Sequence, residues 1–320
     1  MTSRAAASAT TSTTPADRPA PPAPARRITG AVWAALAIVY VVWGSTYLGI
    51  AVVVETMPPF LSAGVRFVVA GLLLAALLAW RKGIGVLKVT RAQLASAAVV
   101  GLCLLLGGNG LVVLAETSVP SGLTALLIAV VPAWVVLLRT VFGERPGRGA
   151  YTGVLLGLAG LAVLTLPGLS GDVRIGGVLT VIVATVLWSV GTFSSSRIPM
   201  PANPFTASVY EMIAGGLGCL LLGLVRGEQR GLDVAAFSAR SWTAFAYLIV
   251  FGSLLAFTAY AWLLQTAPLS LVATYAYVNP VVAVLLGALI LGEALTWPIA
   301  LGGAVVVAGV CLIVSTERRN

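Results

Sequence analysis

Two charged residues stand inside apolar runs, where charge is costly, and they are the residues of this chain best suited to chemistry. Arg66 lies eight residues into a hydrophobic run over 58–80, and Glu211 eight residues into another over 204–225. As helices rise about 1.5 Å per residue, each side chain should sit about 10–12 Å below the surface at which its helix begins. A lone charge near the middle of a membrane helix costs about 2.5–3.5 kcal/mol even on the permissive insertion scale. Each is therefore expected to face a polar cavity or a partner. A guanidinium can hold an anion and a carboxylate can carry a proton, which makes Arg66 a candidate anion anchor and Glu211 the candidate for proton coupling. A structural ion pair between them is an equally open reading.

Aromatic and amide side chains supply further candidates. Residues four apart share a helix face, so Trp43 and Tyr47 are expected to stack on one side of the first run, and Trp188 and Thr192 on one side of the sixth. Small residues between them (Gly44, Ser45, Ser189, Gly191) permit close helix approach or local unwinding, or serve only as packing surface. Tyr275 and Asn279 share a face of the ninth run, where Pro280 cannot donate to the carbonyl of Ala276; Pro132 frees the carbonyl of Ile128 in the same way. Proline bends helices, so Pro132 and Pro280 are candidate gating hinges, with static kinks as the alternative. Asn109 is a weaker candidate for the cavity, as is Gln265. The other charges, Glu55, Glu116 and Glu293 at one face and Arg139 and Glu144 at the opposite one, read as interfacial anchors at helix ends.

These side chains need a scaffold, and the composition dictates its class. A chain of 320 residues that is 59% hydrophobic and 9% charged is not a soluble globular protein. Its apolar residues fall in ten runs, at approximately 29–53, 58–80, 94–115, 119–141, 150–167, 176–196, 204–225, 242–265, 268–291 and 298–314. Runs of this length match the hydrocarbon thickness of a bilayer, so the expected fold is all-α and polytopic, with ten transmembrane helices. The formal charge of +9 does not indicate a nucleic-acid partner, because of where it falls. With the N-terminus inside, fourteen basic residues lie on the cytoplasmic side and four on the other, a positive-inside bias that puts both termini in the cytoplasm. The expected location is a bacterial cytoplasmic membrane. Residues 1–28, rich in Ala, Ser, Thr and Pro, are expected to form a disordered cytoplasmic tail. The first apolar run is too long for a signal peptide and lacks a small-residue cleavage site. Cys103, Cys219 and Cys311 lie far apart within apolar runs and form no disulfide or metal-binding pattern.

The second half repeats the first. A shift of 145 positions places Trp43 on Trp188, Pro59-Phe60 on Pro204-Phe205 and Arg66 on Glu211. A shift of 148 brings Pro120 onto Pro268 and Pro132 onto Pro280, and one residue more aligns Gly143-Glu144 with Gly292-Glu293. Each copy carries five apolar runs, an odd number, so the copies must sit oppositely in the bilayer, the usual plan of a secondary transporter with its binding site near the midplane.

Other function classes fit less well. The lysines, Lys82 and Lys88, stand in no phosphate-binding loop, so ATP hydrolysis and a nucleotide cofactor are not expected. The absence of histidine removes the commonest general base and metal ligand, which argues against an intramembrane enzyme and a metal site. No catalytic residue and no cofactor is assigned. An uncoupled facilitator or exchanger, or a passive channel, remains an alternative to coupled transport. Gly153-x-x-x-Gly157 and the glycines of the tenth run allow either helix packing within the chain or a homodimer contact; packing, and hence a monomer, is preferred. The expected partners are a small-molecule substrate and the lipid bilayer.

Four stretches together resemble a known family. They are Trp-Gly-Ser-Thr-Tyr at 43–47, Pro-Phe-x5-Arg-Phe at 59–67, Tyr-Ala-Tyr-Val-Asn-Pro-Val-Val-Ala at 275–283, and Gly292-Glu293. In this order, within a twofold repeat over 29–167 and 176–314, they resemble the EamA branch of the drug/metabolite transporter superfamily. The resemblance implies an exporter of small metabolites, amino acids or drugs, with a central cavity formed by runs 1–4 and 6–9 and with runs 5 and 10 peripheral. It further implies that Trp43, Tyr47, Arg66, Trp188, Glu211, Tyr275 and Asn279 line that cavity.

Overall fold

The structure, a computed structural model, describes residues 29–143, 147–169, 174–267, 272, 275–292 and 294–317. The tail over 1–28, Pro268, Glu144 and Glu293 lie outside the described residues, as does the side chain of Gln265. The described chain is helical: α1 (Gly30–Val54), α2 (Pro59–Lys82), α3 (Arg91–Ala115), α4 (Ser121–Val141), α5 (Arg148–Leu169), α6 (Ile175–Ser195), α7 (Pro204–Val225), α8 (Ala239–Leu264), α9 (Tyr275–Leu286, extended by a π-helical turn Gly287–Leu291) and α10 (Trp297–Glu317). Among the described residues, seven helices (α1–α4 and α6–α8) are long and apolar enough to cross a membrane, and shorter apolar stretches lie in α5, α9 and α10. The chain is thus an all-helical polytopic membrane protein.

Local chemistry sets the helix ends. Pro59 and Pro204 occupy first-turn positions, where a missing N–H costs nothing. Helix α3 begins three residues before its apolar run because Thr90 and Gln93 form a reciprocal cap, with bonds of 3.0 and 3.2 Å. Ser238 extends α8 likewise, its Oγ accepting from the backbone N–H of Ser241 at 3.0 Å. The N-terminus of α2 is capped from a distance: the Glu228 carboxylate accepts from the backbone N–H of Phe60 at 3.0 Å and of Leu61 at 2.9 Å. These are orphan donors of a first turn carrying partial positive charge. Glu228→Ala is expected to lower stability by about 1–2 kcal/mol, read as an earlier thermal unfolding in detergent.

Packing follows the repeat. Helices α2 and α7, which are repeat mates, pack together, as do the mates α5 and α10. The contact of α3 with α6 is matched by that of α8 with α1, and the contact of α4 with α6 by that of α9 with α1. These pairings have their counterparts, the pattern of an approximate twofold relation between the halves. Glycines make the mate-to-mate contacts close. A Cβ on Gly309 would lie 2.7 Å from the carbonyl oxygen of Gly153 and from the amide nitrogen of Gly157, and one on Gly160 would lie 2.9 Å from the carbonyl oxygen of Gly302. The Gly153-x-x-x-Gly157 face is thus used inside the chain, against α10.

Polarity is inverted relative to a soluble protein. Leucines such as Leu72, Leu155, Leu217 and Leu221 are exposed outward, whereas Arg66, Glu211, Ser253, Thr185 and Asn279 are buried. An apolar exterior suits lipid, and buried polar groups mark the interior as the place to look for function.

Candidate functional site

A narrow cavity of about 60 Å³ lies among the helices. Helix α1 contributes Trp43, Thr46 and Tyr47, α2 contributes Arg66 and Phe67, and α3 contributes Gly108 and Asn109. The wall is completed by Ile128 and Val131 of α4, Thr185 and Trp188 of α6, Gly252 and Phe257 of α8, and Tyr275 of α9. Six of the residues singled out from sequence (Trp43, Tyr47, Arg66, Asn109, Trp188 and Tyr275) therefore meet around one space. The cavity has room for a few ordered waters; sites that enclose drug-sized ligands run to about 300–1,000 Å³. Cargo of that size requires the helices to separate.

Irregular helix turns shape the wall. Wide, π-helical stretches interrupt α1 at Val39–Trp43, α3 at Leu102–Gly110 and α8 at Leu248–Phe257. Those in α3 and α8 occupy matching places in the two halves, and each carries a glycine followed by a polar residue, Gly108-Asn109 and Gly252-Ser253. A π-helical turn inserts a residue and turns side chains and carbonyls out of the regular register. In α8 this exposes the Gly252 carbonyl to Trp43, whose Nε1 donates to it at 3.3 Å. It also turns Ser253 toward Arg66.

Arg66 is held by α8, not by α7. Its Nε donates to Ser253 Oγ at 2.8 Å, and its Cζ lies 4.8 Å from the centre of the Phe67 ring. It seats against Gly252, where a Cβ would stand 3.1 Å from one terminal nitrogen. Arg66 and Glu211 form no ion pair, so the pairing left open from sequence does not occur. Glu116 stands at the end of α3, as expected, but is only 8% exposed, so it is not an interfacial anchor open to solvent; the start of α6 packs close by, where a Cβ on Gly177 would lie 2.6 Å from Ser118 Oγ. Glu55 does stay at its helix end, in an exposed ion pair of 3.5 Å with Arg240.

Glu211 and Asn279 are buried but do not line the cavity. The main chain of Glu211 packs onto Gly101 of α3, and its carboxylate has no hydrogen bond among the described residues. With its amide nitrogen turned inward, Asn279 donates to the carbonyls of Tyr40 and Tyr275, both at 3.2 Å, which ties α9 to the π-helical turn of α1. Trp43 does not stack on Tyr47; it packs instead against Trp188, Tyr260 and Tyr275, with ring centres 5.8, 4.8 and 5.4 Å away. Tyr260 also meets Tyr275 at 5.7 Å and completes a four-ring cluster across α1, α6, α8 and α9. Helix α4 breaks at Ala129–Val130 and restarts at Val131 with Pro132 in its first turn, whereas Pro280 lies within the α9 helix. Sequence reading missed Ser253 and Tyr260. Neither carried a signal in the sequence: at the repeat shift of 145 Ser253 aligns with Gly108, and Tyr260 lies in an aromatic-rich run.

Comparison with known proteins identifies the family. The EamA-like transporter family matches this chain twice, over residues 28–166 and 175–315. The chain belongs to that family. Among its relatives is the inner membrane transporter YedA of Escherichia coli strain K12, 38% identical over 267 residues that make up 83% of this chain and 84% of YedA. A protein of Streptantibioticus cattleyicolor named as a probable terminal-alkyne amino-acid exporter is 31% identical and aligns with 90% of this chain and 94% of its own length. A chain solved by crystallography superposes with a TM-score of 0.63 at 21% identity, over 90% of this chain and 98% of that one, a likeness of fold. This transporter thus carries two copies of one family unit, and its relatives are transporters, not enzymes.

Proposed function

We propose that the chain is a secondary active transporter that exports small metabolites, amino acids or drugs across a bacterial cytoplasmic membrane by alternating access. The observation that carries this reading is a polar and aromatic cavity lined from both family units, with contacts of one half repeated in the other. Two equivalent halves around one site permit two equivalent arrangements, one open to each face of the membrane. In this reading the chain crosses the bilayer ten times as inverted five-helix repeats, with both termini cytoplasmic, and works as a monomer without a cofactor. Glu211 is the proton-coupling group. The amino-acid exporter among its relatives favours cargo of that size. A facilitator or exchanger without coupling is the second reading, favoured by the absence of Glu211 from the cavity wall.

Pro132 and Pro280 act as the hinges, since Pro132 stands at the restart after the break in α4 and Pro280 denies α9 one backbone bond. Pro280→Ala restores a donor within α9 and is expected to reduce turnover several-fold with little change in cargo affinity, as read from the rate and half-saturation of exchange. The reading as a whole is tested by counterflow of a substrate panel in proteoliposomes at two pH values. Saturable exchange is expected for at least one small metabolite, and its pH dependence reports coupling. Flux that never saturates would contradict a carrier.

A further inference from the structure

We infer that the central cavity contains a carboxylate subsite, formed by the terminal nitrogens of Arg66, and that the cargo is a small organic acid. This deepens the transporter reading above and rests on it for the word cargo, but not for the subsite itself.

Arg66 is 3% exposed and lines the cavity. A guanidinium has five N–H donors in a planar fork. Nε is engaged by Ser253, which fixes the plane of the group, and the Phe67 ring lies beside it. The two terminal nitrogens have no hydrogen-bond partner and no carboxylate in ion-pair contact among the described residues. A buried cation with its paired donors unused lacks the ligand for which that fork is shaped, and a carboxylate meets it with two parallel bonds.

A second orphan lies in the same wall. Asn109 lines the cavity from the π-helical stretch of α3, and its amide oxygen is buried without a partner. Buried polar atoms are almost always satisfied, so an empty acceptor and empty donors on the wall of one cavity point to a ligand carrying both kinds of group. The cavity offers donors at Arg66, an acceptor at Asn109, and the rings of Trp43, Trp188 and Tyr275 for an apolar body. An acid with a nearby N–H or O–H fits this set. Its primary amide loses the charge and half of the two-bond contact.

The test uses the full chain in lipid nanodiscs and a panel of small carboxylic acids, each paired with its primary amide. L-leucine with L-leucinamide and 4-methylpentanoate with 4-methylpentanamide lead the panel. Titration calorimetry on the wild type should show acids binding about 10- to 100-fold more tightly than their amides. Arg66→Gln should remove the preference, and Arg66→Lys should retain it with weaker binding, which separates recognition of charge from a folding defect. Ser253→Ala, which leaves the guanidinium in place but releases its plane, should weaken acids and spare amides. Equal binding of acids and amides by the wild type, absence of acid binding, or a preference that survives Arg66→Gln overturns the subsite. Counterflow of the same panel separates the two readings. Acid-selective binding without exchange would sink the transporter reading and leave the subsite standing; exchange without acid preference would do the reverse.

Discussion

Glu211→Gln is expected to abolish pH-driven transport while leaving the protein folded and exchange of cargo down its own gradient intact. The carboxylate is 6% exposed, makes no hydrogen bond among the described residues, and lies apart from the cation with which it aligns in the repeat. A glutamine has the same shape but cannot carry a proton, so the substitution removes coupling and little else. The expected loss is at least about tenfold in the pH-driven rate, the scale on which removing a proton-transfer group acts. Uptake driven by an imposed pH gradient, beside counterflow at uniform pH, provides the readout. Proton-driven uptake that survives at the wild-type rate would remove Glu211 from the coupling role.

Gly101→Val is expected to have the largest effect on the fold. A Cβ at Gly101 would run into the carbonyl oxygen and Cα of Glu211, and a Cβ on Gly215 would lie 2.6 Å from the Gly101 carbonyl oxygen from the α7 side. These are backbone atoms of two packed helices and cannot rotate away, so α3 and α7 must part. Overpacking of this kind costs about 1–3 kcal/mol, and here the upper end is expected. The same displacement moves Glu211, so pH-driven transport should fall together with melting temperature. Gly176→Ala, where a Cβ meets open space, is the control and should leave both unchanged. A Gly101→Val protein with wild-type melting and transport would mean that α3 and α7 are not packed as described.

What the sequence disclosed follows from which interactions are local. Helix positions came from the length of apolar runs and from prolines such as Pro59 and Pro204, both of which act within one element. The repeat also disclosed its mates, and α2–α7 and α5–α10 do pack together. Trp43 and Trp188 were recognisable because they occupy matched places in the repeat, and Tyr275 because it shares a helix face with Asn279 beside Pro280. The partner of Arg66 was not recognisable. Ser253 reaches it only because α8 widens into a π-helical stretch, and a period of 3.6 residues cannot reveal an inserted residue. Alignment of Arg66 with Glu211 suggested a pair, but equivalent positions in opposed copies are not necessarily neighbours. Glu116 stood at a helix end in the sequence, and its burial is a tertiary matter that no local pattern reveals. The role of Asn279 as a tie to the Tyr40 carbonyl likewise arises from a distortion in α1.

Alternating access is tested most directly at Thr46, a nearly isosteric site for cysteine on the cavity wall. With Cys103, Cys219 and Cys311 replaced by serine, Thr46→Cys would be probed with a membrane-impermeant maleimide in right-side-out and inside-out vesicles. The account predicts modification from each side of the membrane, with conditions that favour one side protecting against the other. Simultaneous, undiminished access from both faces, or access from one face under every condition, would contradict it.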